Sequence, residues 1–240
     1  MKGILLAAGR GSRMGSLTMD QPKCMTELGG RSLLLWQLDS LTGAGCDAVA
    51  IVRGYLPETF DDFGDHHFEN PRYAETQMVR SLLCAATWLR QGTCLVSYSD
   101  IIYSEETASR VAGAAGDIVV AYYTEWRALW EARFEDPLCD AETFRVDETG
   151  ALVEIGKRAK DLDEIKGQYM GILKIEPSGF AAIEAHVAAL EPKALDRLDM
   201  TSLLSGLLGR GIRIDTVPIS DLWLEVDTES DYCLYQRMFD

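Results

Sequence analysis

The sequence predicts an α/β protein: a mixed, mainly parallel sheet flanked by helices, in one domain spanning residues 1–240. Three observations predict it. Short apolar runs alternate with segments of helical periodicity through the first half of the chain, the pattern of successive strand–helix–strand units. The first run, Ile4 to Ala8, opens directly into a loop carrying Gly9, Gly11 and Gly15. Two later runs, CLVSYSD at 94–100 and WLEVD at 223–227, end in carboxylates, at the strand ends where open α/β sheets bind their ligands.

Taken in order, Ser32 to Ala44 reads as a helix, with Leu34, Leu38 and Leu41 at helical spacing and Gly43 and Gly45 ending it. AVAIV at 48–52 is the next buried strand. GYLPETFDDFG reads as a loop with a short helix, and HHFEN as a short strand before Asn70-Pro71. Met78, Leu82, Ala86 and Leu89 share one face, which predicts a helix over 76–90 capped by Thr76. A helix at about 105–115 and the strand DIVVAY at 117–122 continue the alternation. From 123 the rhythm changes. TEWRALWEARFEDPLCDAETF is aromatic and charged, and FRVDETGALVEI reads as a hairpin turning at Glu148 to Gly150, so 123–166 is expected to be a small lid or acceptor-side subregion. QYMGILKI, helices at about 178–190 and 200–209, IRIDTVPI and WLEVD then return to the core, with a last helix from Thr228.

Composition bounds the function. With 47% hydrophobic and 25% charged residues, and neither a Pro/Ser-rich linker nor an internal repeat, one sizeable core is expected. The apolar run at the start is shorter than the roughly 7–15 residues of a signal peptide. No stretch approaches the ~20 apolar residues of a membrane span, so a cytoplasmic protein is expected. A net charge of −15 argues against nucleic acid or an anionic membrane as partner. The charge is also polarised: residues 1–35 carry five basic and two acidic side chains, while 215–240 carry seven acids and one arginine. Six cysteines form no C-x-x-C pair and are expected to be reduced and structural, Cys24 beside Lys23 being the one to watch. His66 and His67 have no partner at metal-ligand spacing.

The opening loop points to phosphate. Glycines let main-chain N–H groups approach an anion, and Arg10, Arg13 and Lys23 add positive charge. Glycines at 9, 11 and 15 do not fit G-x-G-x-x-G, and no G-x-x-x-x-G-K-[ST] occurs. The second strand ends in Arg53-Gly54, without the acid that a dinucleotide site needs. At the other end of the chain, Glu225 lies two residues before Asp227, on the same face of an extended segment, which with Asp100 gives three carboxylates with a plausible common target. The plainer reading of a strand-end acid is a cap for the following helix, as Asp227 could be for the helix at 228.

The stretch LAAGRGSRM followed by Pro22-Lys23 resembles the nucleotidyltransferases that join a nucleoside monophosphate to a small phosphorylated acceptor. QPKCM, NPRYAETQMVRSL, SYSDIIY, GQYMG and WLEVDT resemble most the branch of phosphocholine and aminoalkylphosphonate cytidylyltransferases, over Met1 to about Tyr235. The resemblance implies a Rossmann-like, nucleotide-diphospho-sugar transferase-like fold. It implies Mg²⁺-dependent transfer of CMP from CTP to a small phosphomonoester or phosphonate, with release of pyrophosphate. Lys23, Arg13, Asp100 and Asp227 would be catalytic, and Asp100, Glu225 and Asp227 would hold the metal. Leu6, Ala7, Ala8, Gly9 and Gly11 would bind the nucleotide together with Arg13, Lys23, Asp100, Thr76, Gln77 and Ser81. Gln77 stands where the family commonly has Asn, which leaves the base open. Trp126, Trp130, Arg133, Lys157, Arg158 and Tyr169 would meet the acceptor, the tryptophans by holding an ammonium against an aromatic face. A sugar-1-phosphate nucleotidyltransferase using UTP, GTP or dTTP, and a non-catalytic nucleotide-binding regulator, are the competing readings; a homodimer is compatible with all three.

Overall fold

The computed structural model describes residues 1–239. Strand β1 (Lys2–Ala7) runs through the sheet with Ile4 and Leu5 fully buried, one on each face. Burial on both faces explains why the segment is continuously apolar and not alternating. After the loop come two short 3₁₀ segments, Ser12–Thr18 and Lys23–Met25, and a small ribbon of β2 (Glu27–Leu28) and β3 (Arg31–Ser32). Helix α1 (Leu33–Gly43) starts where the Ser32 hydroxyl accepts the N–H of Leu35 at 3.3 Å, and it buries Leu33, Leu34 and Leu41. β4 (Ala48–Arg53) and β5 (His66–Glu69) follow.

The single helix expected over 76–90 is two, α2 (Met78–Cys84) and α3 (Ala86–Gln91), joined at Ala85. Thr76 does not cap it. Its hydroxyl donates to the Arg72 carbonyl at 2.9 Å and accepts from the Asn70 side chain at 3.0 Å. β6 (Cys94–Tyr98), β7 (Ile101–Tyr103), α4 (Glu105–Gly113) and β8 (Ile118–Tyr123) match the predicted alternation.

The remaining elements are α5 (Trp126–Arg133), β9 (Glu142–Val146), β10 (Leu152–Arg158), β11 (Gln168–Ile175), α6 (Pro177–Val187), α7 (Pro192–Asp196), α8 (Met200–Gly209), β12 (Asp215–Ile219), β13 (Trp223–Glu225) and α9 (Glu229–Phe239). The segment expected as one helix to about 190 thus ends at Val187, and the strand expected from 212 is paired only from Asp215.

The main sheet has the order β12-β8-β11-β6-β1-β4-β5. Every pair in it is parallel except those made by β11, which runs antiparallel to β6 and β8. That reversal has a topological cause. The chain leaves β8 at Tyr123 and re-enters the sheet at Gln168, which pairs with Tyr123, so the excursion departs from and returns to the carboxyl end of the parallel strands, while the turn between β9 and β10 reaches back to the amino end of β12, where Ala151 bridges Asp215. The subregion therefore overhangs the ligand edge. Phe144, Leu152 and Ile155 from its hairpin lie in the same buried cluster as Ile4 and Val96. Among the described residues, no helix is long and apolar enough to cross a membrane.

Candidate active site

Chain order in the sheet reverses at β1, which has β4 on one side and β6 on the other. A crevice is expected at such a switch point. A cavity of about 180 Å³ opens there, walled by Leu6 of β1, by Ala8, Gly9 and Gly11 from the loop and by Ser99 and Asp100 beyond β6. Gly11 has φ +74°, and a Cβ on it would lie 2.6 Å from the Cβ of Lys23. Only glycine lets the two segments cross this closely.

That crossing places Lys23 at the centre of the site. Its ammonium is 2.7 Å from Asp100 Oδ2 and 2.7 Å from Asp227 Oδ1, and the residue is 6% exposed. Burial lowers its proton affinity, but the two carboxylates outweigh burial and the net shift is upward. Burial likewise pushes the Asp227 carboxyl up, and Lys23 with Arg13, whose guanidinium lies 2.9 Å away, brings it below its ordinary value. The second Asp100 oxygen, Oδ1, is buried without a partner among the described residues.

Distant parts of the chain meet here because β7 pairs antiparallel with β13, Ile101 opposite Glu225. The Val226 N–H donates to the Asp100 carbonyl at 2.9 Å, which puts Asp100 and Asp227 at the same end of this ribbon. The cap of α9 is Thr228, not Asp227. The Thr228 hydroxyl accepts the Asp231 N–H, while the Asp231 carboxylate takes the N–H of Thr228 and of Asp227. The Asp227 side chain is thereby left for the site.

On the far side of the small cavity lie Tyr73, Thr76, Gln77 and Ser81. Thr76 and Ser81 are tied together by Asn70, buried to 4% exposure, whose amide donates to both hydroxyls at 3.0 and 3.1 Å. A larger cavity of about 330 Å³ adjoins, and Arg13, Gln77, Met78 and Asp227 belong to both walls. Two compartments thus share a partition at the Asp227 end of the cation–carboxylate cluster.

The 123–166 subregion contributes Trp130, Asp140, Glu142, Thr143, Phe144 and Ile155 to the wall of the larger cavity. Trp130 and Tyr169 are in it. Trp126 is not; it is buried in the core, edge-on to Trp130. Arg133 is also outside the wall, its side chain 1% exposed and held by Asp231 at 2.9 Å and Glu225 at 3.1 Å. Lys157 points to solvent and pairs with Glu154, and Arg158 lines a separate shallow depression. In the small cavity, Ala7 stays behind the wall, and Arg10 lies over the Tyr55 ring.

The metal set narrows as well. Among the described residues no three His, Cys, Asp or Glu side chains are gathered to hold an ion. Glu225 is turned to Arg133, which leaves Asp100 and Asp227 converging on one point, now held by the Lys23 ammonium. Burial, then the Asp227 carboxylate, pushes Glu225 upward.

Several residues in the walls carry little sequence signal. Tyr73 and Ser99 face the small cavity, and Tyr98, Asp140, Glu142 and Asp199 the large one. The acids in DPLCDAET look like surface charge in the sequence. Asp140 follows a 3₁₀ turn at Pro137–Cys139 and Glu142 opens β9, a placement that the sequence does not display. Asp140 accepts the Trp130 indole N–H at 3.1 Å, and burial followed by the Asp199 carboxylate pushes Glu142 upward.

The description of a MobA-like NTP transferase domain matches residues 3–199. A CTP:phosphoglutamine cytidylyltransferase of Campylobacter jejuni subsp. jejuni is 32% identical, over 96% of this chain and 97% of its own length. A 2-aminoethylphosphonate cytidylyltransferase of Lancefieldella rimae is 26% identical over 66% of this chain and 61% of its own. Among solved structures, the inositol-1-phosphate CTP transferase from T. maritima superposes with a TM-score of 0.77 at 18% identity, covering 99% of this chain and 95% of that one, a likeness of fold. The chain therefore belongs to the MobA-like NTP transferase family and is a nucleotidyltransferase.

Proposed function

We propose that the chain transfers CMP from CTP to a small phosphomonoester or phosphonate that carries a positive charge, releasing pyrophosphate. The observation that supports this best is the pair of adjoining cavities, one glycine-walled with Lys23 and Arg13 set against Asp100 and Asp227, the other acidic, with Arg13 and Asp227 between them. The acceptor cavity has Asp140, Glu142, Asp199, Glu225 and Asp227 in its wall and Arg13 as its one lysine or arginine among the described residues. Asp140, Glu142 and Asp199 have no ion-pair partner within the described residues. An acceptor with an ammonium at one end and a phosphoryl group at the other fits this polarity. The names of the relatives, phosphoglutamine and aminoethylphosphonate cytidylyltransferase, agree with it.

In this reading the nucleotide lies in the small cavity, its base near Thr76, Gln77 and Ser81 and its phosphates against the loop. Arg13 grips the distal phosphates, and Lys23 leaves the carboxylates to meet the α-phosphate and stabilise charge there. The acceptor needs no general base, because its phosphate, with a second pKa of about 6, is already largely anionic near neutral pH. The protein's contribution is to position two anions and offset their repulsion. Mg²⁺ suits Asp100 and Asp227, since it binds through one or two carboxylates and otherwise to phosphate oxygens and water; the unpartnered Asp100 Oδ1 is a free oxygen ligand of that kind. When bound, the ion neutralises phosphate charge during in-line displacement.

The test is pyrophosphate release from each of four NTPs, against aminoalkylphosphonates, phosphocholine, phosphoglutamine and sugar 1-phosphates, with and without Mg²⁺. Turnover with CTP and a cationic acceptor, dependent on Mg²⁺, is expected. Turnover only with sugar phosphates would overturn the reading, as would a rate unaffected by chelation.

A further inference from the structure

The geometry points to Arg133 as a positioning residue for the carboxylates of the reaction centre, acting through Asp231 and Glu225; this rests on the function proposed above. Arg133 is the last residue of α5, in the subregion over the acceptor cavity, and its side chain is 1% exposed. A guanidinium is not buried this deeply for acceptor contact. Three of its five N–H donors are already committed: Nε to Asp231 Oδ1 at 2.9 Å, Nη2 to Asp231 Oδ2 at 3.2 Å and Nη1 to Glu225 Oε2 at 3.1 Å. Asp227 Oδ2 is 3.9 Å from Nη2.

Each partner fixes a different part of the centre. The fork on Asp231 orients a carboxylate whose Oδ2 also accepts the N–H groups of Asp227 at 3.1 Å and Thr228 at 2.9 Å. The direction in which the Asp227 backbone leaves β13 is set by that carboxylate. The bond to Glu225 turns the neighbouring acid aside, so that Asp100 and Asp227 face the Lys23 site without a third carboxylate crowding them. Without Arg133, Glu225, Asp227 and Asp231 would stand together, with Lys23 and Arg13 in contact only with Asp227 among the three.

The guanidinium is itself held. Trp130 and Phe134 place their rings 5.0 Å from its central carbon, and Trp130 lies parallel to Trp223 at 5.8 Å. Trp223 begins β13. Two rings and two acids determine where the fork lies, so lysine replaces it only in part: a point charge keeps the positive charge but lacks the planar fork and its bidentate grip. Trp130 has a further contact, in the wall of the acceptor cavity. One side chain therefore touches both the acceptor compartment and the group that aims the carboxylates.

The experiment is Mn²⁺ binding, read by electron paramagnetic resonance with CTP present and no acceptor, in wild type, Arg133→Met and Arg133→Lys, with thermal unfolding of each recorded. Loss of a group that orients a metal ligand weakens metal affinity by about 10–100-fold, and that loss is expected in Arg133→Met. Arg133→Lys should fall between it and wild type. In steady state, kcat should drop in both variants while the KM for the acceptor stays within about threefold, since Arg133 does not line that cavity. A folded Arg133→Met with wild-type Mn²⁺ affinity and kcat, altered only in melting temperature, overturns the inference. If Arg133→Met does not fold, Arg133→Lys decides alone, and native affinity in it is the refuting result. A wild type that releases pyrophosphate normally while both variants bind Mn²⁺ normally sinks this inference and leaves the proposed function standing; a wild type that neither binds Mn²⁺ with CTP nor turns over sinks both.

Discussion

Replacing Gly11 by alanine tests the architecture of the phosphate loop at its tightest point. At φ +74° a side chain costs about 1–2 kcal/mol relative to glycine. The added methyl would lie 2.6, 2.9 and 3.0 Å from Cβ, Cδ and Cγ of Lys23, the stem of that side chain and not its mobile tip. Relief requires moving the Pro22–Lys23 backbone or the loop itself, an overpacking cost of about 1–3 kcal/mol. Together these give a loss near 3 kcal/mol, which for a chain of this size lowers the melting temperature by about 6–12 °C. The same displacement takes the Lys23 ammonium off the position where it bridges Asp100 and Asp227. A misplacement of about 1 Å costs on the order of 10²-fold in rate, so turnover should fall by that factor even well below the melting temperature. Differential scanning calorimetry and pyrophosphate release at 25 °C measure the two effects separately. A melting temperature within about 2 °C of wild type, with turnover within threefold, would refute the claim that the crossing of Gly11 and Lys23 is obligatory.

Four further outcomes follow from the same geometry. Lys23→Met should reduce turnover by about 10²–10³-fold, as removal of one preorganised donor does, and an unchanged rate removes Lys23 from the reaction. Glu142→Gln combined with Asp199→Asn should raise the KM for an ammonium-bearing acceptor by about 10–100-fold, with little effect on an uncharged one; equal effects on both would contradict the acidic-end reading. Asn70→Ala leaves the buried Ser81 hydroxyl short of a donor and should cost about 1–3 kcal/mol, visible in urea unfolding, together with a weaker KM for the nucleotide. Thiol alkylation at pH 7.5 should label exposed Cys139 and Cys233 but spare Cys24, whose thiol burial pushes up to about 12; a Cys24 adduct in native-protein mass spectrometry would count against its burial.

Much of the fold is legible in the sequence because its parallel strands are buried on both faces and bounded by glycine or acid. LLAAG and CLVSYSD each disclose a strand and the end at which the candidate site lies, and DIVVAY discloses a strand. Asp100, Asp227 and the loop glycines stand out as candidates for that reason, and Lys23 through the Pro22-Lys23 pair and the family resemblance. What was not legible is what depends on direction. Trp126 and Trp130 are four apart and look equivalent, yet one turns into the core and the other into a cavity wall, because Trp130 stacks on Trp223 and finds Asp140 for its indole N–H. Arg133, Lys157 and Arg158 look like three similar cations; which is buried depends on the acids brought up from β13 and α9. Thr76 sits where a cap is expected, and Asn70, six residues earlier, takes its hydroxyl instead. The break at Ala85 has no glycine or proline to announce it.

The pairing of β7 with β13 also bears on the order in which the molecule becomes competent. Lys23 is 77 residues from Asp100 and 204 from Asp227, so the cluster closes very large loops, and loop closure must be offset before contact rewards it. The strands carrying the glycine loop and Asp100 are neighbours in the central sheet, whereas Asp227 arrives on a separate two-stranded ribbon fastened by three residue pairs. A chain that has formed its sheet but not yet docked that ribbon has a core and a phosphate loop, but Lys23 has only one of its two carboxylates. Catalytic competence should therefore lag behind burial of the sheet tyrosines, Tyr98, Tyr122, Tyr123 and Tyr169, during refolding, recovered only when the ribbon seats.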